Sequence, residues 1–207
     1  MSTLALARSH RPLFGALAMG QGLTRAVVAV VLASAFLGLT AQVSIALHVG
    51  PVPVSGQTLG VLLVGSALGW RLGMLAVLAY LGQGLAGLPV FAGGGAGWVV
   101  LSGPTGGYLA GFVLAAGLVG FLAERGWDRR PLSMALAMTL GTTVIILCGV
   151  VRLSAFVGWE QVWAAGVQPF LAGDVLKVAL ASGLLPGAWW LRRALGGPAG
   201  AEDDRTR

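Results

Sequence analysis

The chain has 207 residues, of which 57% are hydrophobic and only 10% are charged. Its mean hydropathy is +0.87, whereas a soluble domain carries roughly 25% charged residues to cover its surface. The composition therefore excludes a water-soluble monomer, and it excludes disorder because disordered chains are poor in apolar residues. The net charge of +6 comes from basic residues in short clusters between apolar runs, not from one solvated basic face, so we expect a lipid bilayer and no nucleic acid as partner.

Six apolar segments predict an all-α integral membrane protein with six transmembrane helices, two of them short. A membrane helix needs ~20 mostly apolar residues. The second and third segments are each only about 20 Å long at ~1.5 Å per residue, so neither crosses a hydrocarbon layer of ~30 Å unaided. In chain order the segments are Ala26–Leu47, Gln57–Leu68, Leu72–Ala86 (after a break at residues 69–71), Gly106–Ala123, Leu132–Val151 and Phe170–Leu191.

A Gly-rich stretch, Gly87–Tyr108, has no charge but contains too much Gly and Pro to form a helix. Irregular backbone at membrane depth survives only where protein or a wet cavity surrounds it. Short helices beside such a loop are typical of a binding site. We therefore expect an extracytoplasmic loop next to the site.

The basic residues predict the orientation. With six spans, eleven arginines fall on one side and only Arg152 falls on the other, which places both termini in the cytoplasm by the positive-inside rule. This divides the chain into a cytoplasmic segment (1–25), a six-helix membrane substrate-binding domain (26–195) and a cytoplasmic polar tail (196–207). Residues 153–168 carry Trp and Gly at helical spacing, which predicts a short interfacial helix on the outer side.

Asp174 and Lys177 are charged residues inside an apolar segment. Each charge at a helix centre costs ~2.5–3.5 kcal/mol on insertion scales, and the i,i+3 spacing places both on one inward-facing side. One interpretation is an ion pair used for packing. The other is the polar end of a ligand cavity, where the Asp accepts hydrogen bonds from ligand N–H groups and the Lys attracts a carboxylate.

Other chemistry is not indicated. The two histidines, His10 and His48, form no metal-binding pattern, and no nucleophile has a base, so we expect no metal and no catalytic residue. Gly82–Gly87 matches GxGxxG where a helix ends instead of beginning, which does not indicate a nucleotide cofactor. No cofactor is expected. No Walker A motif occurs, so an ATP-driven step would need a partner.

Small residues in the first segment, including Ala29 and Ala33, allow close helix approach. The spacing leaves two uses open, packing inside the bundle or packing against another subunit.

Four stretches together resemble the BioY family, the biotin-binding S components of energy-coupling-factor (ECF) transporters. They occur in family order and cover about residues 25–195. They are PVPVSGQTLGVLL at 51–63, Tyr80 with GLPVFAGG at 87–94, GPTGGY at 103–108, and PFLAGDVLK at 169–177.

The resemblance implies a six-helix S-component fold that captures biotin with high affinity from outside. It also implies a transmembrane coupling subunit and ATP-binding cassette ATPases as partners in the cytoplasmic (inner) membrane. Ala29 and Ala33 would then form the docking patch for the coupling subunit. The substrate-binding residues that it implies are Gln57, Thr58, Tyr80, Phe91, Gly93, Tyr108, Asp174 and Lys177.

Three alternatives stay open at this point. A self-sufficient proton-coupled vitamin carrier would use Asp174 as its titrating group. An S component for a different vitamin would keep the fold and change the ligand. An intramembrane enzyme is disfavoured because no base and nucleophile, and no metal ligands, are present together.

Overall fold

The computed structural model describes residues 22–45 and 50–194, and this part of the chain is predominantly helical, which confirms the all-α prediction. The predicted tail 196–207 and the first 21 residues of the predicted cytoplasmic segment lie outside the described residues. The α-helices are α1 (Leu23–Gln42), α2 (Gln57–Leu68), α3 (Trp70–Leu85), α4 (Trp98–Ser102), α5 (Gly106–Ala123), α6 (Pro131–Val157), α7 (Trp159–Gly166) and α8 (Gln168–Ala194).

Four helical stretches of the described chain are long and apolar enough to cross a membrane. They are α1, α5, α6 and the stretch Trp159–Leu191, which combines α7 with most of α8, while α2 is a shorter apolar helix. The bounds of α2 and α5 agree with the sequence prediction, and α6 and α8 extend beyond it. The number of six spans stays a prediction.

The first predicted segment does not remain helical to Leu47. Helix α1 ends at Gln42, and Ser44–Ile45 (β1) pairs antiparallel with Val54–Ser55 (β2). The backbone N–H of Gly56 also donates to the carbonyl of Val43 at 2.8 Å. These hydrogen bonds satisfy the backbone without a helix. An apolar run in the sequence does not indicate where such bonds form. Leu47 itself lies outside the described residues.

The short helices α2 and α3 are joined by Gly69 alone. The prediction that residues 69–71 form the break was wrong, because Trp70 begins α3. Gly69 has φ +84°, a conformation open to glycine that lets the chain reverse within one residue. A side chain at Gly65 would meet the backbone of Ala116 at 2.7 Å, so its absence lets α2 pack directly against α5.

The Gly-rich stretch Gly87–Tyr108 is not wholly irregular. It contains a 3₁₀ turn at Ala92–Gly94 and the short helix α4, and its last three residues begin α5. Phe91 is buried and holds this stretch to the core. The predicted short helix within residues 153–168 is α7, preceded by the last turns of α6 and by Gly158 at φ +71°.

The connections meet at two ends of the bundle. At the end that we call the basic end, the α2–α3 turn contacts the α5–α6 connection, where the Trp70 N–H donates to Glu124 Oε1 at 3.2 Å. At the opposite end, the pocket end, Gly50 lies against Ala165 near the end of α7. Arg152, near the end of α6, belongs to the pocket end.

The other seven arginines of the described chain belong to the basic end, while the orientation of this end in the membrane stays a prediction. They are Arg25, Arg71, Arg125, Arg129, Arg130, Arg192 and Arg193.

Candidate substrate-binding pocket

A pocket opens at the pocket end, between the β-hairpin, α2, α5, α6 and α8. The cavity measures about 20 Å³. A cavity of this size has room for a water molecule, so a drug-sized ligand has to move side chains to enter it. The polar residues of the wall are Ser55, Gln57, Thr58, Thr105 and Asp174, and the others are Val52, Pro53, Tyr108, Phe112, Ile145, Ile146 and Phe170.

Of the charged pair, Asp174 lines this pocket, and Lys177 does not line it but contacts two residues that do. Lys177 Nζ donates to Asp174 Oδ1 at 3.2 Å and to Thr58 Oγ1 at 2.6 Å. Asp174 is only 7% exposed, and no donor among the described residues serves its second oxygen, Oδ2. Leaving a buried carboxylate oxygen without a donor is costly, so this atom is suited to accept a hydrogen bond from a ligand.

The distance between the two charges also changes which ligand groups Asp174 and Lys177 are expected to bind. Because Nζ and Oδ1 are 3.2 Å apart, Lys177, which does not line the pocket, forms one polar point together with the lining residue Asp174. The sequence interpretation had assigned them to a ligand N–H group and a carboxylate. A single polar point instead fits one ligand group that carries donors and an acceptor side by side.

Gln57 connects the pocket to the core. Its Oε1 accepts from Ser55 Oγ at 2.8 Å, and its Nε2 donates to Tyr80 OH at 2.5 Å. Tyr80 OH in turn donates to the carbonyl of Val90 at 3.0 Å. Tyr80 is fully buried and does not line the pocket. The structure therefore places this predicted binding residue behind the wall.

Tyr108 forms part of the wall through a space left by a glycine. A Cβ at Gly149 would collide with the Tyr108 ring, so the ring occupies the notch in α6 that this glycine leaves. The ring stacks on Phe170 with centroids 5.5 Å apart, and its hydroxyl donates to the Gly166 carbonyl at 2.8 Å. Tyr108 thereby ties α5, α6, α7 and α8 together at the pocket.

Besides Tyr80, the predicted binding residues that do not line the pocket are Phe91, Gly93 and Lys177. Phe91 packs edge-on against Tyr80 at 5.5 Å, in space that Gly84 leaves free. Gly93 has φ +66° in the 3₁₀ turn. The sequence analysis missed most of the apolar wall. Ile145 and Ile146 gave no signal because they stand in a uniformly apolar segment, whereas Phe170 belonged to a quoted motif.

Ala29 and Ala33 differ in their surroundings. Ala33 is 9% exposed and belongs to the hydrophobic core of the chain, while Ala29 is half-buried and packs against that core. Only Ala29 keeps surface for another protein. Separately, within residues 22–45 and 50–194 no three His, Cys, Asp or Glu residues lie together in a way that could hold a metal ion.

The fold is shared with a protein of known structure. The chain is similar, with a TM-score of 0.72 and 24% identity over 79% of this chain and 89% of the other, to a solved structure described as the S-component for biotin from an ECF-type ABC transporter. The fold is thus that of an ECF S component. No curated protein matches the chain significantly.

The particular family follows from the sequence. The model of the BioY family matches residues 8–194, so the chain belongs to the BioY family. This confirms the resemblance read from the four motifs. With the four apolar helical stretches, it also establishes a multi-pass membrane protein that is a transport component and not an enzyme.

Proposed function

We propose that this chain is the biotin-binding S component of an ATP-driven ECF transporter in the cytoplasmic membrane. The observation that carries the proposal is Asp174, a buried carboxylate that lines an otherwise largely apolar pocket and has one oxygen without a donor among the described residues. The family and the fold support it. The alternative ligands, other vitamins, become outcomes of the binding experiment.

Biotin is complementary to this pocket in its chemistry. Its bicyclic ring is apolar, and its ureido group places N–H donors beside a carbonyl acceptor. Asp174 Oδ2 would accept from a ureido N–H, while Lys177, held 3.2 Å from Asp174 Oδ1, would donate to the carbonyl. Small-molecule sites combine an apolar lining with a few placed polar groups in this way.

The valerate carboxylate then lies away from the charged pair. Thr105 lines the pocket and precedes the first turn of α5. The first N–H groups of a helix carry partial positive charge that favours an anion. We infer that this end of the pocket receives the carboxylate.

Calorimetric titration of the detergent-solubilised chain with biotin tests the proposal. We expect saturable binding to one site, and a large loss of affinity in Asp174→Asn. Glu160→Gln is the matched control, because Glu160 is an exposed carboxylate on α7 and should bind biotin like the wild type. Absence of biotin binding by the wild type would contradict the proposal, and binding of another vitamin would assign a different ligand.

Coupling to ATP needs its own experiment. We infer that α1 meets a transmembrane coupling subunit through Ala29, which of the two predicted docking residues is the one that keeps accessible surface. Biotin uptake by cells should then require the coupling subunit and the ATPases. Uptake that persists without them and collapses with the proton gradient would instead indicate the proton-coupled carrier.

A further inference from the structure

A chain of hydrogen bonds leads from the pocket wall into the Gly-rich stretch. It runs from Ser55 Oγ to Gln57 Oε1, from Gln57 Nε2 to Tyr80 OH, and from Tyr80 OH to the carbonyl of Val90. Gln57 lines the pocket and is 4% exposed, while Tyr80 is 0% exposed. The hydroxyl of Tyr80 therefore influences the pocket through Gln57.

The direction of these bonds is determined by the last acceptor. A backbone carbonyl can only accept a hydrogen bond, so the single hydroxyl hydrogen of Tyr80 is committed to Val90. The phenol oxygen can then only accept from Gln57. This requires the NH₂ side of the Gln57 amide to face Tyr80 and its oxygen to face Ser55.

We propose that Tyr80 is a positioning residue for ligand selection, which fixes the orientation of the Gln57 amide and so decides where the pocket wall offers a donor and where an acceptor. The inference rests on the proposed function. With the bonds above in place, the amide retains one N–H and one oxygen lone pair. Rotating the Gln57 amide by half a turn would exchange the positions of this N–H and this oxygen. A ureido or amide N–H of a ligand would then face the N–H of Gln57 instead of its oxygen.

The hydroxyl can be removed without removing the ring. Tyr80 packs edge-on against Phe91, with centroids 5.5 Å apart and an interplanar angle of 86°. The substitution Tyr80→Phe keeps this contact and deletes only the bonds to Gln57 and Val90. A loss of affinity in this variant is therefore assigned to the hydroxyl.

A double-mutant cycle with biotin as the probe tests the proposal. We expect Tyr80→Phe alone to weaken biotin binding about three- to ten-fold, the range of one neutral hydrogen bond. In a Gln57→Ala background the same substitution should have no further effect, because there is no amide left to orient. Additive losses, or an unchanged affinity in Tyr80→Phe, would overturn the proposal.

Tyr108, the other tyrosine of the chain, is the matched control. Its hydroxyl donates to the Gly166 carbonyl and makes no bond to Gln57, so Tyr108→Phe should combine additively with Gln57→Ala. The same cycle on thermal unfolding without ligand should show coupling for Tyr80 only, and its absence would overturn the positioning role. If the wild type does not bind biotin, the proposed function fails and the biotin part of this inference falls with it, while the ligand-free cycle still decides whether Tyr80 holds Gln57.

Discussion

Two buried carboxylates stand at opposite ends of the bundle, and they differ in what surrounds them. Asp128, in the connection between α5 and α6, is 1% exposed and accepts a hydrogen bond from Trp189 Nε1 at 2.5 Å. The guanidinium of Arg129 lies over the same indole ring, 5.0 Å from its centroid. Asp174 is almost as buried but lines a pocket.

The comparison separates a buried carboxylate that lines a pocket from one that does not. Asp128 lies outside the pocket lining, and the bond that it accepts from Trp189 holds the end of α8 to the α5–α6 connection. Asp174 has Lys177 on one oxygen, and no described residue donates to the other. Because Asp174 also lines the pocket, we propose that a ligand donor completes the hydrogen bonding of its second oxygen.

The largest expected effect is on ligand binding when the pair of Asp174 and Lys177 is broken. Replacing Lys177 by Met should weaken biotin about ten- to a hundred-fold, because a charge-assisted hydrogen bond contributes roughly 1.5–3 kcal/mol. Uncharged biotinamide should lose the same factor, since it keeps the ureido group that the charged pair addresses. Calorimetry with both ligands checks this.

A much smaller loss for biotinamide than for biotin would show that Lys177 binds the carboxylate instead. Thermal unfolding has to be measured beside binding, because the substitution leaves Asp174 without its partner charge.

Asp128 should behave in the opposite way. We expect Asp128→Ala to lower the free energy of unfolding by about 1–3 kcal/mol, because the Trp189 N–H loses a buried acceptor, and to leave biotin affinity unchanged. Trp189→Phe, which removes the donor, should not add to this loss. A change in biotin affinity in either variant would contradict the division between the two carboxylates.

Ala33 and Ala29 extend the comparison to α1. A leucine at Ala33 overfills the core and should cost about 1–3 kcal/mol of stability. A leucine at Ala29, which is half-buried, should change stability less and reduce co-purification of the coupling subunit, since added volume separates closely packed helices. Equal co-purification of wild type and Ala29→Leu would exclude a docking role for this residue.

The smallest expected effect is that of a labelling substitution, which should leave binding intact and report orientation. In a Cys148→Ala background, Trp98→Cys on α4, where Trp98 is 69% exposed, should react with a membrane-impermeant thiol reagent from outside. Arg130→Cys, at the basic end, should react only from the cytoplasm. The reverse pattern would invert the predicted topology.

The sequence predicted both ends correctly for two helices, α2 and α5. Helix α2 lies between Gly56 and Gly69, and the prediction of both its ends was correct. The end of α1 could not be predicted, because Ser44–Ile45 leaves the helix to pair with a strand nine residues further along the chain, and an apolar run is compatible with both structures.

The clearest sequence signal of a candidate site came from two residues that differ from their surroundings, and the site itself stays a prediction. Asp174 and Lys177 are charged residues in an apolar segment. Because placing a charge in lipid costs free energy, charged residues there indicate a specific role. Tyr80 illustrates the limit of a motif, because it belongs to a stretch with binding residues, yet it lies behind the wall. Whether a residue touches the ligand or another side chain depends on tertiary packing, which sequence spacing does not contain.

Gly149 shows where the shape of the pocket is encoded. It is not among the lining residues, but the Tyr108 ring occupies the space that its missing side chain leaves. A methyl group there would push an aromatic ring into a cavity of about 20 Å³. The ligand preference of this bundle can therefore change during evolution through a position that never contacts the ligand, and engineering confined to the lining residues would overlook it.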